Sequence, residues 1–354
     1  MHDYFMLLAL RQAEKGRGCC SPNPSVGAVA VVDGQVVAKA YHQGAGTPHA
    51  EQLVLAKVAA GIKNLSLYIT LEPCNHWGRT PPCIEAIVRY GVKEVIYGYT
   101  DPNPVVAINN SPAQLEARGV NVVHWSMKEI DRFYQSYRYW TLTKQPWVTA
   151  KLAHTLDGKI GSQEGDRLIL SNDACTQFTH EQRLCTDIIL TSARTVQRDD
   201  PSLNVRLGDV IEEKCVAILD AHLSLNGKEK IFSTAKHCHV YFDAALAEQC
   251  QNLANCTYHP VRSVNGQLDL KAILNHLGGM GYHDVWIEAG GRLFSAFHAQ
   301  RLVHRTYLYL VPAVLGEGTT TGFHGKGLFN APKTITWQIK SDNVIACLDW
   351  QHDR

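Results

Sequence analysis

The stretch VGAVAVVDGQVVAKAY, residues 26–41, constrains the fold more than any other. Apolar residues alternate on both sides of Asp33-Gly34, a dipeptide that supplies the positive φ angles of a tight hairpin turn. Two helically spaced segments follow, HAEQLVLAKVAAG (49–61) and CIEAIVRYG (83–91), interleaved with the short apolar strands SLYITLEP (66–73) and KEVIYGYTDPNP (93–104). Strands alternating with helices imply an α/β sheet covered by helices. The opening MHDYFMLLALRQAEKGRG reads as an amphipathic helix, not as a charged segment before an apolar signal core.

From about Ser126 to Pro146 the pattern turns polar and aromatic, which predicts a helical connector. A second α/β block starts at Trp147, with strands expected in WVTAKLAH, DIILTS, CVAILDA, CHVYFDA, DVWIEAG and RTYLYLVP. The chain of 354 residues is long enough for two cores, so domains are expected at 1–145 and 146–354. There is no internal repeat and no low-complexity tract.

Charge narrows the partners. The formal net charge is +1, so no broad basic field exists to hold nucleic acid or an anionic membrane, and a small molecule is the expected partner. No apolar run reaches the length of a membrane span. Eleven cysteines without regular spacing suit a reducing cytoplasm, which disfavours a disulfide between Cys74 and Cys83.

Those two cysteines have a better use. Pro48-His49-Ala50-Glu51 stands at a helix start, the strand SLYITLEP delivers Cys74 from its carboxyl end, and Cys83 follows Pro81-Pro82, a helix-opening pair. A thiol at a helix N-terminus is favoured as thiolate. One imidazole and two thiolates make a three-ligand zinc site with a fourth position open, the catalytic pattern. H-x-E followed by paired cysteines is the pattern of zinc deaminases, in which the Glu moves protons without binding metal. Here eight residues, NHWGRTPP, separate the cysteines where two are usual.

With that spacer, PNPSVG (22–27), YHQGAGTPHAE (41–51) and TLEPCNHWGRTPPC (70–83) closely resemble the deaminase half of the bifunctional riboflavin biosynthesis enzyme family. KLAHTLDGKIG (151–161), TVQRDDPSLNVR (195–206), IEAGGRLFSAF (287–297) and VPAVLGEG (311–318) resemble its reductase half. The resemblance implies a cytidine-deaminase-like zinc domain followed by a dihydrofolate-reductase-like domain. It implies hydrolytic deamination of 2,5-diamino-6-(5-phosphoribosylamino)pyrimidin-4-one, then NADPH-dependent reduction of the ribosyl side chain to ribityl, in a cytoplasmic homo-oligomer.

Residue by residue, it assigns zinc to His49, Cys74 and Cys83, proton transfer to Glu51, and the pyrimidine or its ribose phosphate to Asn23, His42 and His76. In the second block it gives Lys151 the role of stabilising the opened ribose during reduction. Arg183 and Arg206 would hold the 5-phosphate, with Leu203 and Glu288 also at the substrate. The cofactor would meet Ala153, Leu168, Thr195, Asp199, Gly290, Gly291, Arg292 and Leu293. Glu288-Ala289-Gly290-Gly291 follows a strand and opens a helix, so bare backbone N–H groups stand ready for a pyrophosphate. It is not the G-x-G-x-x-G of the dinucleotide fold.

Three positions depart from the family: Leu168 where Trp is common, Arg194 where a small residue is common, and Ala221 where Ser or Thr is frequent with an arginine soon after. No fixed charge for a 2'-phosphate is therefore evident, although Arg194 or Arg198 stand near enough in sequence to compensate. Two rivals stay open on sequence alone: a zinc deaminase of another base or nucleoside, and a second domain that binds nucleotide or assembles without catalysis.

Overall fold

The computed structural model describes residues 1–77, 81–104, 106, 110–162, 168–250, 253–325 and 334–350. They form two compact units, Met1–Lys144 and Gln145–Arg354. Residues 78–80 of the NHWGRTPP spacer and 165–167 before Leu168 lie outside the described residues.

In the first unit, β1 (Gly27–Val32) and β2 (Gln35–Tyr41) form the antiparallel hairpin, with Asp33 at φ 47° and Gly34 at φ 77° in its turn. They extend into a five-stranded sheet ordered β2-β1-β3-β4-β5, where β3 is Leu65–Ile69, β4 is Glu94–Tyr97 and β5 is Asn121–His124. β3 runs antiparallel to β1, and β4 and β5 continue parallel to β3. Side chains alternate along β1, so Ala28 and Ala30 pack under α2 (Ala50–Leu55) and α3 (Cys83–Arg89), while Val29 and Val31 pack under α1 (His2–Glu14). The sheet is thus covered on both faces.

The segment 126–146 is more than a connector. It forms the helices Lys128–Phe133 and Gln135–Thr143, and Ile130, Tyr134 and Tyr137 are buried beside α1 in the core. Its tyrosines satisfy their hydroxyls inside: Tyr134 meets Thr70 Oγ1 at 2.6 Å, and Tyr137 donates to Asp101.

The second unit holds a nine-stranded sheet. Its order is Cys256–Val261, His237–Asp243, Cys215–Leu219, Ile188–Ser192, Asp284–Glu288, Trp147–Thr155, Arg305–Val311, Asn343–Asp349 and Thr334–Lys340. The first seven strands are parallel, and the last two add antiparallel. All six expected strands are present. The three additional ones lie toward the sheet's ends: CTYHPV carries Pro260, which an edge strand tolerates, TITWQIK is largely exposed, and NVIACLD, paired with it, is mostly buried. One face is covered by the helices Leu270–Gly279 and Gly291–Ala299, the other by Asp173–Cys185 and Ala193–Asp199. The neighbouring strands Ile188–Ser192 and Asp284–Glu288 therefore send their following helices to opposite faces. Such a switch point opens a crevice at the carboxyl ends of the strands, where ligands of open α/β sheets bind.

Candidate active sites

In the first unit, three elements converge on one point. His49 is the residue before α2, Cys83 is the first residue of α3, and Cys74 lies in the loop after β3. His49 Nδ1 is 3.2 Å from Cys83 Sγ and 3.4 Å from Cys74 Sγ, and the three donor atoms all lie within 4.8 Å of one another. Zn–S bonds of about 2.3 Å and Zn–N bonds of about 2.0 Å in a tetrahedron require donor separations of roughly 3.5–3.8 Å. The donor set fits zinc after small adjustments. Among the described residues this is the one such cluster of three or more ligands.

The three donors perturb one another's protons. The hydrogen bond from Cys83, then His49, pulls the Cys74 thiol down, whereas the same contact and burial push the Cys83 thiol up. His49 rises to about 9 through its bond to Cys74. The Cys83 backbone N–H, at the helix start, donates to Cys74 Sγ at 3.3 Å. A divalent cation would displace the remaining protons. Glu51 is 3% exposed beside Cys83, and burial, against the pull of His49, raises its carboxyl above the usual range. That suits a group that carries a proton between steps.

The flanking positions form a chain. His42 Nδ1 lies 3.2 Å from the Pro48 carbonyl, so that nitrogen carries the proton and donates; Nε2 then accepts from Asn23 Nδ2 at 3.2 Å. The His42 ring meets His49 edge-on at 5.3 Å. Asn23, His42, His49, Glu51, Cys74 and Cys83 are thus gathered at one place. His76 is half-buried, its Nδ1 without a hydrogen-bond partner.

Sequence reasoning passed over Asn75 and Asp101. Asn75 Nδ2 donates to Ser111 Oγ at 2.7 Å and to the Val106 carbonyl, leaving a buried Oδ1 without a partner on the residue that follows Cys74. Asp101, raised to about 6 by burial, accepts from Asn103 N and Tyr137. The signal was the DPNP turn that follows β4.

In the second unit, strand register brings Lys151 beside Glu288. Lys151 Nζ sits 5.1 Å over the Tyr309 ring. Glu288 receives a two-pronged hydrogen bond from Arg183, Nε to Oε1 at 2.6 Å and Nη2 to Oε2 at 2.9 Å, plus Trp286 Nε1 at 2.8 Å. Burial alone would raise the Glu288 carboxyl, but Arg183 prevails and holds it near 2. Burial lowers the Lys151 ammonium, with Glu288 opposing. Arg183 also donates to the Asn204 carbonyl, so its guanidinium is largely committed within the protein.

At the crevice, Gly290 N donates to Thr195 Oγ1 at 3.3 Å, joining the two strand ends. A Cβ on Gly290 would meet nothing within 4 Å, whereas one on Gly291 would stand 2.4 Å from the Gly322 carbonyl oxygen. The first glycine leaves open backbone at the start of the nine-residue helix Gly291–Ala299, and the second admits a close crossing of chain. That cradle suits a pyrophosphate. Ala153 shares the strand face of Lys151, and Asp199 closes the helix that begins beyond Ser192. Leu203 is buried at φ 46°, and exposed Arg206 donates its backbone N–H to His180 Nδ1. Leu293 is partly buried against the core, while Leu168 and Arg292 are exposed. Of the basic residues weighed for a 2'-phosphate, Arg198 bonds the Ser162 carbonyl at 3.0 Å and Arg194 is exposed.

Comparison with known proteins matches both units. Residues 1–99 match the model of the cytidine and deoxycytidylate deaminase zinc-binding region, and residues 146–346 match the RibD C-terminal domain. The riboflavin biosynthesis protein RibD of Aquifex aeolicus is 32% identical over 319 residues, covering 90% of this chain and 89% of that one. Its namesake from Escherichia coli is 32% identical over 364 residues and 98% of each chain. Among solved structures, Acinetobacter baumannii RibD superposes with a TM-score of 0.83 at 28% identity. A Thermotoga maritima diaminohydroxyphosphoribosylaminopyrimidine deaminase/5-amino-6-(5-phosphoribosylamino)uracil reductase gives 0.86 at 26%. Each covers 99% of both chains.

Proposed function

The chain belongs to the family of the bifunctional riboflavin biosynthesis protein RibD, and from that premise we propose how its residues divide the work. The fold is a cytidine-deaminase-like domain followed by a dihydrofolate-reductase-like domain. The enzyme deaminates 2,5-diamino-6-(5-phosphoribosylamino)pyrimidin-4-one with zinc and reduces the ribosyl side chain of the product with NADPH. We assign deamination to residues 1–145 and reduction to 146–354.

His49, Cys74 and Cys83 hold the zinc, a reading carried by the mutual approach of their donor atoms. When bound, zinc supplies the Lewis acidity that activates water near neutral pH. Glu51 takes one proton from the attacking water and passes it to the ring nitrogen, then takes the second from the hydroxyl so formed and passes it to the amino group, which leaves as ammonia. His42, neutral and fixed in one tautomer, aligns Asn23 toward the pyrimidine, and His76 with Asn75 offers unsatisfied polar atoms to the ribose phosphate or the base.

When bound, NADPH supplies the hydride for the second reaction. Gly290 and Gly291, with Thr195, form its cradle, and Ala153, Leu168, Asp199, Arg292 and Leu293 border it. Lys151 supplies a proton to the oxygen or nitrogen that gains charge as the opened ribose is reduced, and its lowered pKa makes it a ready donor. Glu288 keeps that ammonium in place. Exposed Arg206, whose guanidinium also donates to Asn204 Oδ1, meets the 5-phosphate, while Leu203 and Arg183 shape the floor.

A cytoplasmic homo-oligomer completes the reading. Ile335, Trp337 and Ile339 point the same way from the terminal strand of the nine-stranded sheet and are all exposed, an apolar stripe suited to a second copy. None of the eleven cysteines is in a disulfide, and no helix among the described residues is long and apolar enough to cross a membrane.

Two variants test the division of labour. Glu51→Gln should keep its zinc and reduce supplied deaminated intermediate, yet lose deamination by ~10²–10⁴-fold or more. Lys151→Ala should deaminate normally and accumulate the aminouracil ribosyl phosphate. Product analysis by mass spectrometry reads both, and near wild-type deamination by Glu51→Gln would overturn the assignment.

A further inference from the structure

Far along the second unit's sheet, Cys238 and Cys256 stand opposite each other in register on the parallel strands His237–Asp243 and Cys256–Val261. Neither thiol is in a disulfide, and the register sets them on neighbouring strands side by side. They rise on the same face, among Ile218, Ile231, Val240 and Leu253. Strands in a sheet lie about 4.8 Å apart, inside the roughly 4.4–6.8 Å range of Cα separations that a disulfide spans.

The two sulfurs differ in access. Cys238 is buried, and its Sγ lies 3.8 Å from the Ile231 carbonyl oxygen. Cys256 is half-buried on the terminal strand, which pairs on one side only. A reagent therefore meets Cys256 first, and no further strand resists the small shift that closes the Cβ atoms together. The neighbouring Cys238 also lowers the Cys256 thiol, against burial, which raises the fraction present as the attacking thiolate.

We propose that Cys256 and Cys238 are a redox dithiol, oxidised to an intramolecular disulfide by small disulfides of the glutathione type. The Cys256 thiolate attacks one sulfur of oxidised glutathione; its S–S bond breaks and one glutathione leaves as thiolate. Cys238 gives its proton to solvent and attacks the Cys256 sulfur of the mixed disulfide, and the second glutathione leaves. Two electrons pass from the protein pair to glutathione disulfide, and the departing thiolates take up the two protons. The product cross-links the end of the sheet and closes the segment 239–255 into a loop.

The test uses the full zinc-loaded chain, which keeps Cys74 and Cys83 engaged. It is equilibrated in glutathione buffers from fully reduced to fully oxidised, quenched with iodoacetamide, digested and analysed by mass spectrometry. A Cys238–Cys256 linked peptide should accumulate with oxidant and vanish with dithiothreitol. In Cys238→Ser, glutathione should remain on Cys256 as a mixed disulfide. If glutathione modifies only exposed Cys19 and Cys250 while Cys238 and Cys256 are both alkylated, or if Cys256 links to a different cysteine, the proposal fails.

Discussion

His239 lies 8% exposed on the face of the second unit's sheet opposite Cys238, and both of its ring nitrogens are used. Nδ1 is 3.1 Å from His259 Nε2, and Nε2 is 3.1 Å from the Tyr282 hydroxyl. His237 packs against its ring at 4.8 Å, and beyond it His259 and His276 meet at 4.5 Å with their rings tilted. Burial first, then the neighbouring His237, His259 and His276, pushes His239 down to about 4. In the unfolded chain it would titrate near 6.5. The folded state therefore binds fewer protons than the unfolded state between those values, so stability is intact above pH 6.5 and lost as pH falls toward 4. At about 1.4 kcal/mol per pH unit the loss is about 2 kcal/mol at pH 5 and about 3 kcal/mol at pH 4. A unit of this size shifts its melting temperature by about 2–4 °C per kcal/mol. Calorimetry of the chain and of His239→Gln should show the second unit of the wild type losing about 4–8 °C more than the variant between pH 7 and pH 5. The His239 ring proton, followed by NMR, should titrate near pH 4. A midpoint above pH 6, or parallel losses in the two proteins, would refute the reasoning.

The remaining expectations are simpler to check. Cys83→Ala should lose most of its zinc by elemental analysis, because two donors from separate segments hold a divalent ion far less well than three. Gly290→Ala should melt like the wild type but bind NADPH roughly tenfold more weakly or worse by fluorescence titration. Gly291→Ala should instead lose about 1–3 kcal/mol in thermal stability, since its Cβ would collide with the Gly322 backbone. Arg183→Met should cost roughly 3–5 kcal/mol by leaving Glu288 buried without its partner, whereas Arg206→Met, at an exposed position, should change stability by no more than about 0.5 kcal/mol.

Much of the fold was legible because each layer left a periodic trace. The hairpin turn at Asp33-Gly34, the alternation of β1 and the helical spacing after His49 all lie in continuous stretches. The grouping of His49, Cys74 and Cys83 was legible because their chemistry is rare and their positions fall at element ends, and their donor atoms do lie within 4.8 Å of one another. The helices of 128–143 were read only as a connector, since Tyr134 and Tyr137 look polar until Thr70, Ser25 and Asp101 are seen taking their hydroxyls. The edge strands escaped because Pro260 interrupts one and exposure on both faces blurs another. Arg183 illustrates the deeper limit: sequence discloses a guanidinium, but not that a carboxylate 105 positions away has already claimed it. Asn75 and Asp101 were missed for the same reason.

The strand Trp147–Thr155 divides its side chains strictly: Val148, Ala150 and Leu152 enter one apolar core, while Lys151 and Ala153 face the other side with Tyr309. This alternation makes the strand intolerant of changes in length. One residue inserted between Ala150 and Lys151 would turn the ammonium into the hydrocarbon layer and present leucine to the crevice. Substitutions can accumulate there one at a time, but insertions and deletions cannot. Descendants of this chain should therefore differ in length in their turns and ends, while these nine positions keep their count even where their identities drift.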